Sequence, residues 1–170
     1  MGPTMSVSEM HDTAAIHPID VVEHVASHHE WDFDRVAEDQ IAMEPEGQWA
    51  TYQLTLAWQA SDETLRLLLT YDMDPDPARL PALYELLNRI NDLCWAGAFA
   101  WWAEEKVMTF RYALILSGDQ VAEPEQVDTM IHAAVASAER FFPAFQLVLH
   151  DGQEPEKALK VAITEAYGRA

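Results

Sequence analysis

The sequence predicts an α+β domain, an antiparallel sheet of about six strands with helices packed on one face, in the order α-β-β-β-β-α-β-β-α-α. Three observations carry this. Tyr52–Trp58 and Leu65–Met73 alternate apolar and polar residues, as half-buried strands do. The strand-like segments come in adjacent pairs joined by turns rather than separated by helices, so they pair antiparallel. Between the pairs, Leu80, Leu83, Leu86, Leu87, Ile90, Leu93 and Cys94 recur at helical spacing and mark one amphipathic helix.

Each element has its local reason. Met1–His17 shows no periodicity and reads as a flexible tail ahead of a single domain over 18–170. Pro18 suits the first turn of a helix over 18–29, with Ile19, Val22, Val25 and Ala26 as its apolar stripe. From Trp31 the period becomes 2: Trp31 and Phe33 alternate with acids, and Ile41 and Met43 follow a polar break at Glu38-Asp39. Pro45-Glu46-Gly47 is a turn signal, and Glu46-Gly47 at its tip pairs Ile41 with Tyr52 and Met43 with Ala50. A turn at Ser61-Asp62 pairs Trp58 with Leu65, Leu56 with Leu67, Leu54 with Leu69 and Tyr52 with Tyr71, all on one face. Asp74-Pro75-Asp76-Pro77 ends that strand and leads into the central helix.

Gly97 stops the central helix. A hairpin then turns at Glu105-Lys106, with Ala98–Glu104 and Val107–Leu116 as its arms. That register sets Trp101 against Phe110, Phe99 against Tyr112 and Ala103 against Met108 on the core side, with Trp102, Ala100, Thr109 and Arg111 on the reverse. Ser117-Gly118-Asp119 opens a loop. Pro124 starts a helix striped by Val127, Met130, Ile131, Ala134, Val135, Ala138 and Phe142, which Pro143 is expected to break or kink. Ala144–Leu149 continues as a short helical piece and Asp151-Gly152 closes it. A last helix runs from Glu154 or Pro155 toward Tyr167, with Leu159, Ala162, Ile163 and Ala166 inward.

At 170 residues the chain can bury a real core. Its 29 acidic and 10 basic residues give a formal net charge of −19, which repels phosphate backbones and anionic bilayers and attracts basic partners. Nucleic acid and membrane are therefore poor partners. The lone Cys94 excludes an internal disulfide, and its place on an apolar helix face suits an inert thiol in a reducing, cytoplasmic compartment. No apolar run approaches the roughly 18 residues of a membrane span, and the N-terminus lacks the basic-then-apolar pattern of a secretion signal.

Candidate chemistry is sparse. His24 and His28 are one helical turn apart and His29 follows, but no third ligand completes a metal site, so a solvated helix face is the expectation. Asp72, Asp74 and Asp76 lack the glycine and closing glutamate of a calcium loop, and Glu104-Glu105 belongs to a turn. The 6 glycines are isolated, so no phosphate cradle forms, and no nucleophile elbow is present. The sequence thus names no catalytic residue, metal or cofactor. Trp102 and Arg111, placed diagonally on the reverse side of the last hairpin, are the leading binding candidates, because Trp and Arg dominate binding hot spots. An Arg stacked on a Trp is also a common structural pairing. Asn88 and Asn91 stand where they can brace the turn at Gly97. Asn91 joins the binding candidates, and Phe142 and Phe145 supply a second candidate surface on the helical side.

Four segments carry a resemblance. They are Asn88-Arg89-Ile90-Asn91-Asp92, Trp95-Ala96-Gly97-Ala98-Phe99, Val107-Met108-Thr109-Phe110-Arg111, and Glu139-Arg140-Phe141-Phe142-Pro143-Ala144-Phe145. With Trp31-Asp32-Phe33 and Gly47–Tyr52, their order and spacing over roughly 18–165 resemble the YbjN family. The resemblance implies a fold like that of type III secretion chaperones, an antiparallel sheet with helices, often dimeric and acidic. It implies a sensory-transduction regulator and supplies no catalytic residues. The His24–His29 cluster and the first 17 residues lie outside the pattern.

Three functions stay open at this point. The first is a non-enzymatic regulator or chaperone-like module of a bacterial cell that holds a protein or peptide, basic segments being favoured by the charge, and that forms a homodimer. The second is a structural homodimer whose sheet face serves self-association alone. The third is an enzyme whose site is assembled from distant residues.

Overall fold

The computed structural model describes residues 16–168. The expected N-terminal tail thus lies, for residues 1–15, outside the described residues. Among the described residues four α-helices, α1 (Pro18–His28), α2 (Leu80–Leu93), α3 (Pro124–Leu149) and α4 (Pro155–Gly168), accompany six strands. The strands are β1 (Phe33–Ala37), β2 (Gln40–Met43), β3 (Gln53–Gln59), β4 (Thr64–Asp72), β5 (Ala98–Trp102) and β6 (Val107–Ile115). They form one antiparallel sheet in the order β1-β2-β3-β4-β6-β5. Fold class and element order are those read from the sequence.

One sheet face is buried and the other bare, and period 2 decides which residues go where. Leu54, Leu56, Leu65, Leu67, Leu69 and Phe110 point to the helices and are at most 1 % exposed. α1 packs over β1–β3, α2 over β5 and α3 over β4 and β6, while α4 lies outside against α2 and α3. No helix among the described residues is long and apolar enough to cross a membrane.

The local chemistry of the ends is explicit. His17, expected in the tail, instead caps α1, its Nδ1 accepting from Ile19 N at 3.1 Å. α3 opens with Pro124 behind a reciprocal Glu123/Gln126 capping box. Its C-terminus is held by Arg79, which donates to Val148 O at 2.9 Å and to Gln153 O at 3.0 Å. Arg35 ties α1 to the β1–β2 turn through Asp20, Glu23 and the Glu38 carbonyl.

Three expectations need correction. The last hairpin is displaced by two residues: Phe99 pairs with Phe110, Trp101 with Met108 and Trp102 with Val107. A four-residue turn, Ala103–Lys106, replaces the two-residue one, with Lys106 at φ 55° to reverse the chain. The β2–β3 connection is also longer than a tight turn, so Ile41 pairs with Leu56 and Met43 with Leu54. Both shifts are even, so every side chain keeps its face. Finally, α3 runs unbroken through Pro143. The missing Pro143 N–H frees the Glu139 carbonyl, but Phe141, Ala144, Phe145 and Val148 are buried on the same helix, and that packing outweighs the roughly 3 kcal/mol cost of an internal proline. The pairs in the β3–β4 hairpin from Leu54–Leu69 to Trp58–Leu65 are as read, with Tyr52 and Tyr71 meeting just beyond the ladder, ring centroids 5.6 Å apart.

The uncovered sheet face as candidate functional site

Four strands present cross-strand rows on the bare side. Thr55, Leu68, Arg111 and Ala98 form one row across β3, β4, β6 and β5. Ala57, Arg66 and Ala113 form the next, and Thr70, Thr109 and Ala100 lie on the other side of Arg111. Along these rows the small side chains Ala57, Ala98 and Ala113 alternate with the longer Leu68, Arg66 and Arg111, and Trp102 joins them in the lining. The result is an open groove of about 750 Å³. Its floor is apolar and its charged residues are two arginines. Arg66 pairs with Asp62 at 2.7 Å. Arg111 is exposed, and its guanidinium forms no ion pair or hydrogen bond among the described residues.

The structure sorts the sequence-derived candidates. Trp102 and Arg111 both line the groove. They are not diagonal neighbours, because the shifted register interposes the Ala100–Thr109 row, and no Arg–Trp stack forms among the described residues. Thr109 is fully buried and donates to Ala100 O at 3.0 Å. Trp101 and Trp102 are both half-buried, Trp101 against the core, so the expected contrast of buried and open tryptophans is one of face rather than of exposure.

Asn91 is a brace. Its Nδ2 donates to Phe99 O at 3.0 Å and its Oδ1 accepts from Phe99 N at 2.8 Å, which docks the end of α2 on β5. Gly97 completes this corner at φ 92°. A Cβ there would overlap the Phe110 ring and sit 2.8 Å from Arg111 O. Phe145 is 1 % exposed and packs on Phe99, so it belongs to the core and cannot touch a partner. Phe142 is half-buried between Trp49 and Tyr71.

Sequence reasoning missed two constellations. Glu139 on α3 accepts from Tyr52 Oη, from Gln48 N at 2.9 Å and from Trp49 N at 3.4 Å, fastening the β2–β3 loop. Burial, then the bond to Glu139, pushes the Tyr52 phenol pKa well up. Gly47 faces this carboxylate so closely that a Cβ would overlap it. The isolated Gly47 was the available signal. The second constellation joins α1 to α3: Asp128 Oδ1 lies 2.8 Å from His29 Nε2 and 3.1 Å from His132 Nδ1. His29 also stacks on Trp31, centroids 4.4 Å apart. His24 and His28 are exposed, and no group of three His, Cys, Asp or Glu residues among the described ones is placed to hold a metal.

Comparison with known proteins agrees with this architecture. The crystal structure of YbjN from E. coli is similar over 89 % of this chain and 92 % of that one, at 12 % identity and a TM-score of 0.50. The HopA1–SchA chaperone–effector complex is similar over 72 % of this chain and 89 % of that one, at 14 % identity and a TM-score of 0.48, a likeness too distant to carry function. No curated protein matches significantly. Residues 18–147 match the family described as "YbjN: Putative bacterial sensory transduction regulator". That match spans all six strands, the first two helices and nearly all of α3, and the chain belongs to the YbjN family.

Proposed function

We propose that this chain is a non-enzymatic regulatory module of a bacterial cell that captures a polypeptide on the bare face of its sheet. The observation that carries the reading is Arg111, a guanidinium without an ion-pair partner among the described residues, set in an apolar groove beside Leu68 and near Trp102. An apolar side chain of the partner would fill the alanine-lined floor, and a partner carboxylate or carbonyl would meet Arg111. Trp102 would supply apolar area at the rim. The family description supports a regulator.

A second reading, self-association through the same face, is favoured by the exposed apolar residues beside it. Trp95, two residues before Gly97, is 98 % exposed, and Ile115 is 66 % exposed. The two readings separate cleanly. Light scattering gives the mass of the isolated protein against a 19.2 kDa monomer. Purification from the native cell followed by mass spectrometry gives any stoichiometric partner. Capture predicts that Trp102→Ala and Arg111→Ala lose the same partner while circular dichroism and Tm hold. Loss of at least about 2 kcal/mol, some thirtyfold in Kd, is the scale for a hot-spot tryptophan. A partner retained equally by both variants refutes the chosen face. A bare dimer dissociated by both variants establishes the second reading.

A further inference from the structure

The opposite side of the sheet holds a cleft of different chemistry. It opens where the start of β1 and the end of β2 meet α3, with a volume of about 580 Å³, inside the range of roughly 300–1,000 Å³ usual for ligand clefts. Its floor continues the core through Trp31, Ile131 and Val135. Four carboxylates, Glu30, Asp32, Glu44 and Glu46, contribute to its lining. Among the described residues no Lys or Arg lines it. Glu44 accepts from Gln53 Nε2 at 3.1 Å, and none of the four forms an ion pair among the described residues. Trp31 is held in place by its stack on His29, itself bound to Asp128.

An apolar floor under an acidic rim is complementary to a side chain with an aliphatic stem and a cationic head. Lysine and arginine are built this way, and they keep the stem on apolar surface while the head reaches polar groups. A cation near the Trp31 ring would gain further attraction. We propose that this cleft docks a polypeptide segment in which Lys or Arg alternates with apolar residues. The assignment does not rest on the bare-face reading, because the two surfaces lie on opposite sides of the sheet and share no lining residue.

The test uses the full chain and two fluorescent peptides, one alternating Leu with Lys and one alternating Leu with Glu, followed by anisotropy at low and high salt. The Lys peptide should bind and weaken steeply with salt, and the Glu peptide should not bind. Glu44→Gln with Glu46→Gln changes two exposed carboxylates and spares the core; it should weaken the Lys peptide at least about tenfold, or 1.4 kcal/mol. Trp31→Ala should weaken it comparably. Trp102→Ala should leave it unchanged, which separates this site from the groove. Absence of Lys-peptide binding, equal affinity in the Glu44/Glu46 variant, or loss on Trp102→Ala overturns the proposal. So does a free alkylamine that binds as tightly as the peptide, since the cleft would then be a small-cation site.

Discussion

Replacing Glu139 by Ala should destabilise the protein by about 3 kcal/mol. The carboxylate accepts from Tyr52 Oη and from two backbone amides, Gln48 N and Trp49 N. A hydrogen bond to a charged group contributes about 1.5–3 kcal/mol. Gln48 and Trp49 are exposed, so water replaces much of what their amides lose. Tyr52 is 0 % exposed, so its hydroxyl is left without an acceptor at a cost of about 1–3 kcal/mol. Tyr52 therefore dominates the loss, and Tm should fall by roughly 6–12 °C, taking 2–4 °C per kcal/mol for a chain of this size. Tyr52→Phe alone should cost less, because the half-buried carboxylate keeps its amide donors. In the Glu139→Ala background Tyr52→Phe should be neutral or stabilising, since it removes an orphaned hydroxyl. Gly47→Ala forces the carboxylate away and should cost about as much as Glu139→Ala, yet much less once Glu139 is gone; some cost stays, because the new Cβ would lie 2.8 Å from the Tyr52 ring. Urea melts of the single and double variants form the cycle. Additive losses, or a Glu139→Ala change within 0.5 kcal/mol of zero (about the noise between independent sites), would refute the lock. The same loop carries Glu44 and Glu46, so an unlocked loop should also bind the Lys peptide more weakly.

Two further outcomes follow from the core. Tyr71 is 5 % exposed and its hydroxyl has no partner among the described residues, so Tyr71→Phe should be neutral or stabilise by up to about 1 kcal/mol in urea melts. Burial raises the phenol pKa of both Tyr52 and Tyr71, so the unfolded chain releases these protons first, near the ordinary value of about 10. Stability contributed by the protonated phenols is thus complete below about pH 10 and falls as pH rises further, a slope that the Phe variants should flatten in alkaline melts. Gly97→Ala should lower Tm and release the Asn91–Phe99 brace, seen as faster amide exchange at Phe99; an unchanged Phe99 amide would refute the close packing on Phe110.

The period-2 pattern made the faces of the sheet legible, and with the Ser61-Asp62 turn the β3–β4 register, but not the registers of the β2–β3 and β5–β6 pairs. Parity is set by burial: Leu54, Leu56 and Phe110 reach the helices whatever the turn length. Register is set by the turn, and turn length answers to distant partners. The β2–β3 loop is long because Gly47 and Tyr52 meet Glu139, some 90 residues away. The β5–β6 turn takes four residues, with Lys106 carried into the left-handed region at φ 55°, which no local pattern announced. Pro143 misled for a related reason, since a local rule about hydrogen bonding lost to burial on both sides of it. Trp102 and Arg111 were readable as a face because their strands were; their spacing was not. The cleft was invisible, because Trp31, Glu44 and Ile131 are joined only by the fold.

The charge of the chain is segregated rather than uniform, and that segregation would decide what each proposed surface selects. Among the described residues no acidic side chain lines the bare-face groove, whereas two arginines do. The cleft inverts this, with four carboxylates and no Lys or Arg. Far from the molecule, the field of −19 draws any basic segment inward. At contact range the two surfaces diverge. The groove offers such a segment apolar area but two like charges, so a lysine-rich partner would be held there only by its apolar residues. The cleft offers both attractions at once. A segment that satisfies Arg111 brings an acid or a carbonyl, and the same segment would be repelled by Glu44 and Glu46. Lying on opposite sides of one sheet, groove and cleft as proposed would therefore discriminate between sequences that the net charge alone would rank together.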